Sequence, residues 1–320
     1  MKTWQKIKEN PVLLQKYLVR ERVIDTIRNF FKSQGFHEVF TPILVPVPST
    51  EPNLEVFQSE LRTASGLKRR AFLIMSPEYS IKKLLAMGIG NCFEITRCFR
   101  NEEEVSRLHN PEFTMLEWYR VGADYKDIMR DFENLFIKII GKEKLVYRGE
   151  TYDLSLPWPR ISFKEAFKKY ANKNIENVND SDFYQIFFNE VEPKLRESLK
   201  PAFIYDYPVS QAALARRKKS DPRFAERFEI FLAGVELGNC FSELTDAKEQ
   251  RERFEKDRAL RRTQGKTNYP IDEDLLDALK EGIPEVSGIA VGVDRLVMLA
   301  ADASSISDII FFPGSELFEL

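Results

Sequence analysis

Residues 92–121 constrain the fold more than any other stretch, because they contain two strand-like runs joined by a charged loop. The runs, 92–100 and 112–121, are rich in β-branched and aromatic residues, and Asn110-Pro111 closes the loop between them. This pattern predicts an antiparallel hairpin with a long connection. Alternation of side chains gives one face of the second strand Phe113, Met115, Glu117 and Tyr119. A carboxylate among aromatic rings favours a pocket floor over a core, although a solvated loop on an ordinary hairpin is an equal alternative.

The composition is typical of a globular protein and excludes several classes. Of the 320 residues, 43% are hydrophobic and 31% are charged, and the formal net charge is −2. This balance does not favour a broad nucleic-acid or anionic-membrane surface. No apolar run approaches the roughly 20 residues of a membrane span, and the N-terminus lacks the apolar core of a signal peptide. Three cysteines, an odd number without metal-ligand spacing, lead us to expect a reducing compartment, the cytoplasm. Because there are only two histidines, we do not expect a metal site built from histidines.

The first ninety residues predict helices around an edge strand and a long loop. Apolar spacing predicts a helix over 16–34, and a short strand over 36–40 runs into Thr41-Pro42. Proline has no backbone N–H to donate to a neighbouring strand, so this strand should lie at an edge of the sheet or at an interface. We expect 43–70 to be loop-like. A helix should begin at Ser76-Pro77-Glu78, with Ser76 as N-cap and Pro77 in the first turn, which is the structural alternative to a binding role for these residues.

The middle of the chain predicts further helices but carries little chemistry. We expect an amphipathic helix over 124–140, and over 145–201 a helical elaboration that also contains a hairpin. The pattern predicts a largely helical segment over 211–230. Charged helices are expected over 246–263 and 272–281.

A second informative stretch follows Phe228 and predicts a hairpin that turns at Ala233-Gly234. It places carboxylates in apolar surroundings, where they are costly unless they meet a cation. Asn239, Phe241 and Glu243 share one face, whereas Glu236 has the opposite parity. We therefore predict a bulge near Gly238, which would bring Glu236 onto that face. Exposed surface glutamates are the alternative.

The last informative stretch alternates large and small residues. Gly288, Ala290 and Gly292 form one face of a predicted strand, and a face without side chains allows close approach to the backbone. Arg295 lies in the first turn of the helix that follows. A basic residue is unfavourable at that end of a helix dipole, which indicates an anion nearby.

Together these stretches resemble the three motifs of class II aminoacyl-tRNA synthetases, in particular their lysyl branch. Residues 20–42 resemble motif 1, Phe99-Arg-Asn-Glu-Glu with His109-Asn-Pro-Glu-Phe resembles motif 2, and Gly292-Val-Asp-Arg295 resembles motif 3. The resemblance implies an α+β fold with an antiparallel sheet flanked by helices, one catalytic domain over 1–320 and a homodimer formed through motif 1. No anticodon-binding domain is expected, because motif 1 begins so early.

A lysyl-type catalytic domain of this extent is similar to the ligases that attach (R)-β-lysine to a lysine of elongation factor P. Those ligases resemble this chain in having alanine at Ala290, where lysyl synthetases typically have glycine. Cys240 stands where both groups usually have glycine, and Gly238 with Ser242 is more similar to lysyl synthetases. The resemblance therefore implies elongation factor P as acceptor, lysine or β-lysine as substrate and no stable tRNA binding. A minimal lysyl-tRNA synthetase and a non-catalytic regulatory paralogue are the alternatives.

The resemblance also implies a mechanism, in which ATP activates a carboxylate as an acyl-adenylate and an amine then accepts the acyl group. Arg100 would grip the α-phosphate and Arg295 the γ-phosphate. Adenine would stack on Phe113, and Glu229 with Glu236 would hold Mg²⁺. The implied ATP site comprises Arg100, Asn101, Glu102, Asn110, Phe113, Glu236, Leu237, Gly292 and Arg295.

The implied amino-acid site is rich in carboxylates, as a diamino substrate requires. Glu78 would take the backbone-side ammonium, and Glu117, Tyr119 and Glu243 the side-chain ammonium, through charge-assisted hydrogen bonds. The mechanism requires no protein nucleophile. The implied site comprises Ser76, Pro77, Glu78, Glu117, Tyr119, Asn239, Phe241, Glu243 and Ala290.

Overall fold

The computed structural model describes residues 2–319, apart from the side chains of residues 180 and 181. The strands are β1 (His37–Glu38), β2 (Leu44–Val45), β3 (Gln58–Arg62), β4 (Lys68–Leu73), β5 (Cys92–Phe99), β6 (Glu112–Val121), β7 (Lys144–Tyr147), β8 (Glu150–Asp153), β9 (Arg160–Ser162), β10 (Ala202–Pro208), β11 (Phe224–Leu232), β12 (Val235–Ser242) and β13 (Val286–Gly292). The α-helices are α1 (Thr3–Glu9), α2 (Leu14–Lys32), α3 (Glu78–Ala86), α4 (Tyr125–Ile140), α5 (Phe163–Tyr170), α6 (Asp180–Ile186), α7 (Glu192–Arg196), α8 (Ala247–Thr263), α9 (Glu273–Glu281), α10 (Val293–Ala300) and α11 (Gly314–Leu317).

One eight-stranded sheet organises the molecule, in the order β1-β5-β6-β13-β12-β11-β10-β9. Its pairs are antiparallel except at the two ends, where β1 runs parallel to β5 and β9 runs parallel to β10. A three-stranded sheet, β2-β4-β3, and the hairpin β7-β8 complete the β structure. Helices flank the large sheet, and the predicted α+β fold is confirmed. No helix within residues 2–319 has the length and apolar character needed to cross a bilayer.

The central hairpin is confirmed, since β5 pairs with β6 from Cys92 opposite Tyr119 to Phe99 opposite Glu112. One face of β6 buries Trp118 against the helices α2 and α4. The ring centroids of Trp118 and Phe31, which belongs to α2, are 5.0 Å apart. The other face packs in part on α3, α8 and α9, and the rest of it borders a cavity. The sheet therefore separates an apolar layer from the layer that holds the site.

The second hairpin is also confirmed, together with its bulge. Ala233 and Gly234 form the turn between β11 and β12 with φ of 53° and 73°, the left-handed values that a tight hairpin turn requires. Ile230 pairs with Gly238, but the next residue of β11 pairs with Glu236. One residue of β12 is thus left over, and the register shift brings Glu236 to the cavity.

Two expectations for the connecting segments are wrong. The segment 43–70 contains β2, β3 and the first half of β4 instead of a loop. β3 is exposed at every position, so it has no hydrophobic alternation to reveal it. The segment 211–230 is not largely helical, because β11 begins within it and bonds to β10 and β12 on both sides. Pairing with the strands that precede and follow it, β10 and β12, overrides local helical propensity there.

Three local expectations fare differently. β1 lies at the edge of the large sheet, as the proline after it predicts. The helix α3 begins at Glu78 with Pro77 as N-cap, one residue later than expected, although the Ser76 hydroxyl still accepts a hydrogen bond from the Glu78 N–H at 3.0 Å. The region 145–201 contains the expected helices and all but the first residue of the expected hairpin, β7-β8, which begins at Lys144. Its helices share an aromatic cluster with β10 and β11.

The position of the Tyr119 ring explains why β13 has glycine at position 288. A Cβ atom added to Gly288 would lie 2.3 Å from Cε1 of the Tyr119 ring, so the ring occupies the space that glycine leaves. At Gly292 the nearest atom to an added Cβ is Cδ of Arg295 at 3.5 Å, an ordinary contact.

We predict that Gly288→Ala lowers the free energy of unfolding by about 1–3 kcal/mol, because the overpacked ring must move. Gly292→Ala is the matched control and should change it by less than about 1 kcal/mol. Urea denaturation of the three proteins checks this. Equal midpoints for Gly288→Ala and the wild type would show that Tyr119 is not held against β13.

Candidate active site

A cavity of about 1550 Å³ lies on the polar side of the large sheet. Its walls come from β6, β12, β13 and α3, with the segment 40–54 across it. A site for one drug-sized ligand usually measures about 300–1,000 Å³, so this cavity has room for two ligands side by side. The predicted site residues on its wall are Ser76, Glu78, Arg100, Asn110, Phe113, Glu236, Leu237, Asn239, Phe241, Ala290, Gly292 and Arg295.

One end of the cavity is cationic. The Arg100 guanidinium lies 5.1 Å from the centroid of the Phe113 ring. Arg295 donates from Nη1 to the Glu236 carbonyl oxygen at 2.7 Å, and its Nη2 lies 2.9 Å from His109 Nε2. Arginine has no acceptor, so Nε2 of His109 must accept this hydrogen bond. Burial lowers the pKa of His109. The charge of Glu103 opposes this effect, and the guanidinium groups of Arg295 and Arg100 add to it.

Two predicted ATP-site residues lie off the cavity wall. The Asn101 N–H donates to the Glu55 carbonyl oxygen at 2.9 Å, and Glu102 adopts a left-handed φ of 56°. This turn exposes both side chains to solvent. Asn110 is on the wall, but both the nitrogen and the oxygen of its side-chain amide already make hydrogen bonds within the protein. Its Nδ2 donates to the Glu112 carbonyl oxygen at 2.6 Å, and its Oδ1 accepts from the Gly314 N–H at 2.8 Å.

The other end of the cavity is underlain by buried carboxylates. Glu117 is 1% exposed and accepts hydrogen bonds from the Ser76 hydroxyl at 2.5 Å and the Tyr119 hydroxyl at 2.9 Å. Burial, and then the charge of Glu78, raises the pKa of Glu117 to about 8. Burial likewise raises the pKa of Glu243 to about 8. Glu117, Tyr119 and Glu243 thus lie directly behind the wall that Ser76 and Glu78 form.

A lysine that the sequence did not single out joins these carboxylates. Lys82 is 2% exposed, and its Nζ lies 2.7 Å from Glu78 Oε1 and 2.6 Å from Glu243 Oε2. Burial alone would lower the pKa of Lys82, but the two carboxylates raise it, so the ammonium stays charged. The spacing of Glu78 and Lys82, four residues apart on a helix, was a usable signal for one contact. Nothing in the sequence near Lys82 or Glu243 indicates the second contact, between Lys82 and Glu243.

The two residues expected to hold a metal lie on neighbouring strands. Glu229 Oε1 accepts a hydrogen bond from Arg227 Nη2 at 2.7 Å, and Glu229 lies off the cavity wall. Burial, and then the charge of Glu236, raises the pKa of Glu229 to about 7. In the described part of the chain, no group of three or more histidine, cysteine, aspartate and glutamate side chains is placed to hold a metal.

The chain belongs to the class II aminoacyl-tRNA synthetases, since the family model "tRNA synthetases class II (D, K and N)" matches residues 2–316. This confirms the resemblance drawn from the three motifs. Membership in this family also supports the use of ATP by a ligase. Within the described residues we find no separate anticodon-binding domain.

The chain is similar over nearly its whole length to proteins named elongation factor P--(R)-beta-lysine ligase. The one from Proteus mirabilis (strain HI4320) is 42% identical over 309 residues, which cover 92% of this chain and 94% of the relative. That from Pectobacterium atrosepticum is 42% identical over 310 residues, with the same coverage. The Salmonella paratyphi A protein is 41% identical over 322 residues, or 97% of each chain.

We predict that Lys82→Met lowers the free energy of unfolding by about 3–5 kcal/mol, because it leaves buried carboxylates without their cation. Lys164→Met is the control. Lys164 lies 3.0 Å from Glu176 in an ion pair whose lysine is 58% exposed, so its loss should change stability by less than about 1 kcal/mol. Urea denaturation at neutral pH measures both, and equal losses would contradict a buried ionised pair.

Proposed function

We propose that this chain is an ATP-dependent ligase that activates (R)-β-lysine as an acyl-adenylate and transfers it to a lysine side chain of elongation factor P. The observation that carries the proposal is one cavity with guanidinium groups at one end and buried carboxylates at the other. The first end suits phosphates and the second suits a diamino acid. The names of the relatives supply the acceptor and the isomer.

ATP would occupy the cationic end. Arg100 binds the α-phosphate, where charge develops as the substrate carboxylate attacks, and Arg295 binds the γ-phosphate of the leaving pyrophosphate. The adenine stacks on Phe113. Holding the carboxylate in line with the α-phosphate supplies a further part of the rate.

Mg²⁺ fits Glu229 and Glu236. Burial, and then the charge of Glu236, raises the pKa of Glu229, and a divalent cation would favour its ionised form. Carboxylate oxygens are ligands that Mg²⁺ prefers, and its other ligands are typically phosphate oxygens and water. When bound, the ion neutralises phosphate charge. Glu229 would have to share its carboxylate between the ion and Arg227.

The amino acid would occupy the end underlain by carboxylates. Glu78 receives the ammonium nearer the carboxyl group, and Glu117, Tyr119 and Glu243 receive the distal ammonium. When Glu78, Glu117 and Glu243 are ionised they carry three negative charges, and Lys82 neutralises one of them. The two that remain match the two ammonium groups of the substrate. Asn239 and Phe241 line the wall between the two ends.

Acyl transfer needs no nucleophile from the protein, because the acceptor amine itself attacks the activated carbonyl. The acceptor decides between the proposed function and a minimal lysyl-tRNA synthetase. We propose that no stable tRNA complex forms. A non-catalytic regulator would not require the arginines and carboxylates to meet in one cavity.

We further propose a homodimer in the cytoplasm. The edge strand β1 leads into Phe40, which is 79% exposed, and then into Pro42 on the cavity wall. An exposed aromatic residue at a sheet edge is a candidate contact for a second copy. Dimerisation through this edge would place the interface close to the site.

The acceptor is tested by the intact mass of elongation factor P after incubation with the protein and ATP. With (R)-β-lysine we expect a mass increase of one β-lysyl group, and a smaller yield with α-lysine. Elongation factor P without its acceptor lysine is the control and should gain no mass. Acylation of tRNA in place of elongation factor P would contradict the proposal and favour a minimal lysyl-tRNA synthetase.

Binding of the diamino acid should release a proton from Glu117. Below pH 8 this carboxyl is protonated in the empty site, whereas a bound ammonium group holds it ionised. The dissociation constant should therefore fall as the pH rises from 6 to 8, by up to about tenfold per pH unit for each proton released, and level off above.

Calorimetric titration in two buffers of different ionisation enthalpy measures the proton release directly. Glu117→Gln should abolish the buffer dependence that this group causes. Affinity that falls from pH 6 to 8 would contradict the assignment.

A further inference from the structure

Arg227 is a largely buried guanidinium on the cavity wall that the mechanism above does not use. It belongs to β11, and its side chain is 15% exposed. Its charged group lies 4.2 Å from the centroid of the Tyr207 ring and 5.6 Å from that of Phe241, so two aromatic rings fix it in place. Such stacking restricts an arginine more than an ion pair at the surface does.

The three nitrogen atoms of this guanidinium serve three different partners. Nε donates to Asn239 Oδ1 at 3.2 Å, Nη1 donates to the Gln211 carbonyl oxygen at 2.7 Å, and Nη2 donates to Glu229 Oε1 at 2.7 Å. Tyr207, Gln211 and Glu229 hold the group from different sides. The remaining contact, to Asn239, is therefore made by a cation that cannot turn away.

This contact determines which way the Asn239 amide points. Arginine can only donate, so the atom of Asn239 beside Nε must be the carbonyl oxygen. The amide nitrogen of Asn239 is then left on the side away from Arg227. Among the side chains and carbonyl groups that the structure describes, none accepts a hydrogen bond from it, and Asn239 lines the cavity.

A donor without a protein acceptor on this wall suits a negatively charged oxygen. Across the sheet Asn239 pairs with Ala290, which also lines the cavity. Along the chain Asn239 lies between Glu236, whose carbonyl oxygen binds Arg295, and the buried Glu243. In the proposed function the carboxyl group of the amino acid lies between these two ends, where it meets the α-phosphate.

We propose that Arg227 is a positioning residue for amino-acid activation, which holds the Asn239 amide so that its N–H groups face the substrate carboxyl. The proposal rests on the proposed function. Arg227 itself does not contact the reacting atoms. A purely structural arginine would change stability, whereas this role requires that its effect on amino-acid binding pass through Asn239.

Amino-acid-dependent ATP–pyrophosphate exchange with (R)-β-lysine and saturating Mg²⁺ tests this. The variants are Arg227→Met, Asn239→Ala and the two together, with Arg216→Met as matched control. Arg216 is 19% exposed, pairs with Glu226 at 2.9 Å and lies off the cavity wall. We expect Arg227→Met to raise the KM for the amino acid about tenfold, as for one lost charge-assisted hydrogen bond, with less than about twofold change in the KM for ATP.

When Asn239 is already alanine, Arg227→Met should change the KM for the amino acid by less than about twofold, because the residue through which Arg227 acts is gone. Arg227→Lys keeps a charge beside Glu229 but cannot serve three partners, and should behave like Arg227→Met in the same cycle. It carries the test if Arg227→Met does not fold.

The inference is overturned if Arg227→Met matches Arg216→Met, or if its effect persists undiminished in the Asn239→Ala background. Wild-type protein that exchanges with neither lysine isomer would overturn the proposed function and this inference with it. Wild-type exchange with unaffected variants refutes the inference alone.

Discussion

The burial of several carboxylates around a single lysine is the constraint on which the site depends. Glu117 and Glu243 lie behind the cavity wall with almost no exposure, and Lys82 neutralises only part of their charge. Buried carboxylates without cations are costly, so the empty site keeps protons that a bound ammonium would displace. The unmet charge is thus both a cost to the folded protein and the basis of substrate recognition.

The large sheet makes this arrangement possible. One face of β6 is anchored by Trp118 in the main core, so the opposite face can carry Glu117 without loss of the fold. The bulge in β12 turns Glu236 toward the arginines, while residues beyond the bulge still supply the rest of the wall. Because Gly288 has no side chain, Tyr119 can pack closely against β13 and direct its hydroxyl to Glu117.

Local pattern was enough for the elements that carry the motifs. Alternation in 112–121 predicted the face that holds Glu117, and the parity of Glu236 together with Gly238 predicted the bulge. Long-range partners were not predictable in this way. The ion pair of Lys82 with Glu243 joins positions far apart in the sequence, and nothing near either residue indicates it.

The same physical reason explains the failures. β3 is fully exposed, so its pairing with β4 leaves no hydrophobic pattern to read. The start of β11 is specified by strands on either side of it. Asn101 and Glu102 follow the motif 2 arginine directly, yet one left-handed residue turns their side chains into solvent. Motif resemblance indicates which residues take part, but the backbone decides which of them reach the cavity.

The central claim is that the buried carboxylates recognise the second ammonium group of the substrate. The most direct measurement is ATP–pyrophosphate exchange with (R)-β-lysine and α-lysine, compared with norleucine, which lacks the distal amine. Exchange with a diamino acid and a kcat/KM for norleucine lower by about 10⁴-fold are predicted, because norleucine leaves buried carboxylates unpaired. Comparable exchange with norleucine would contradict the account.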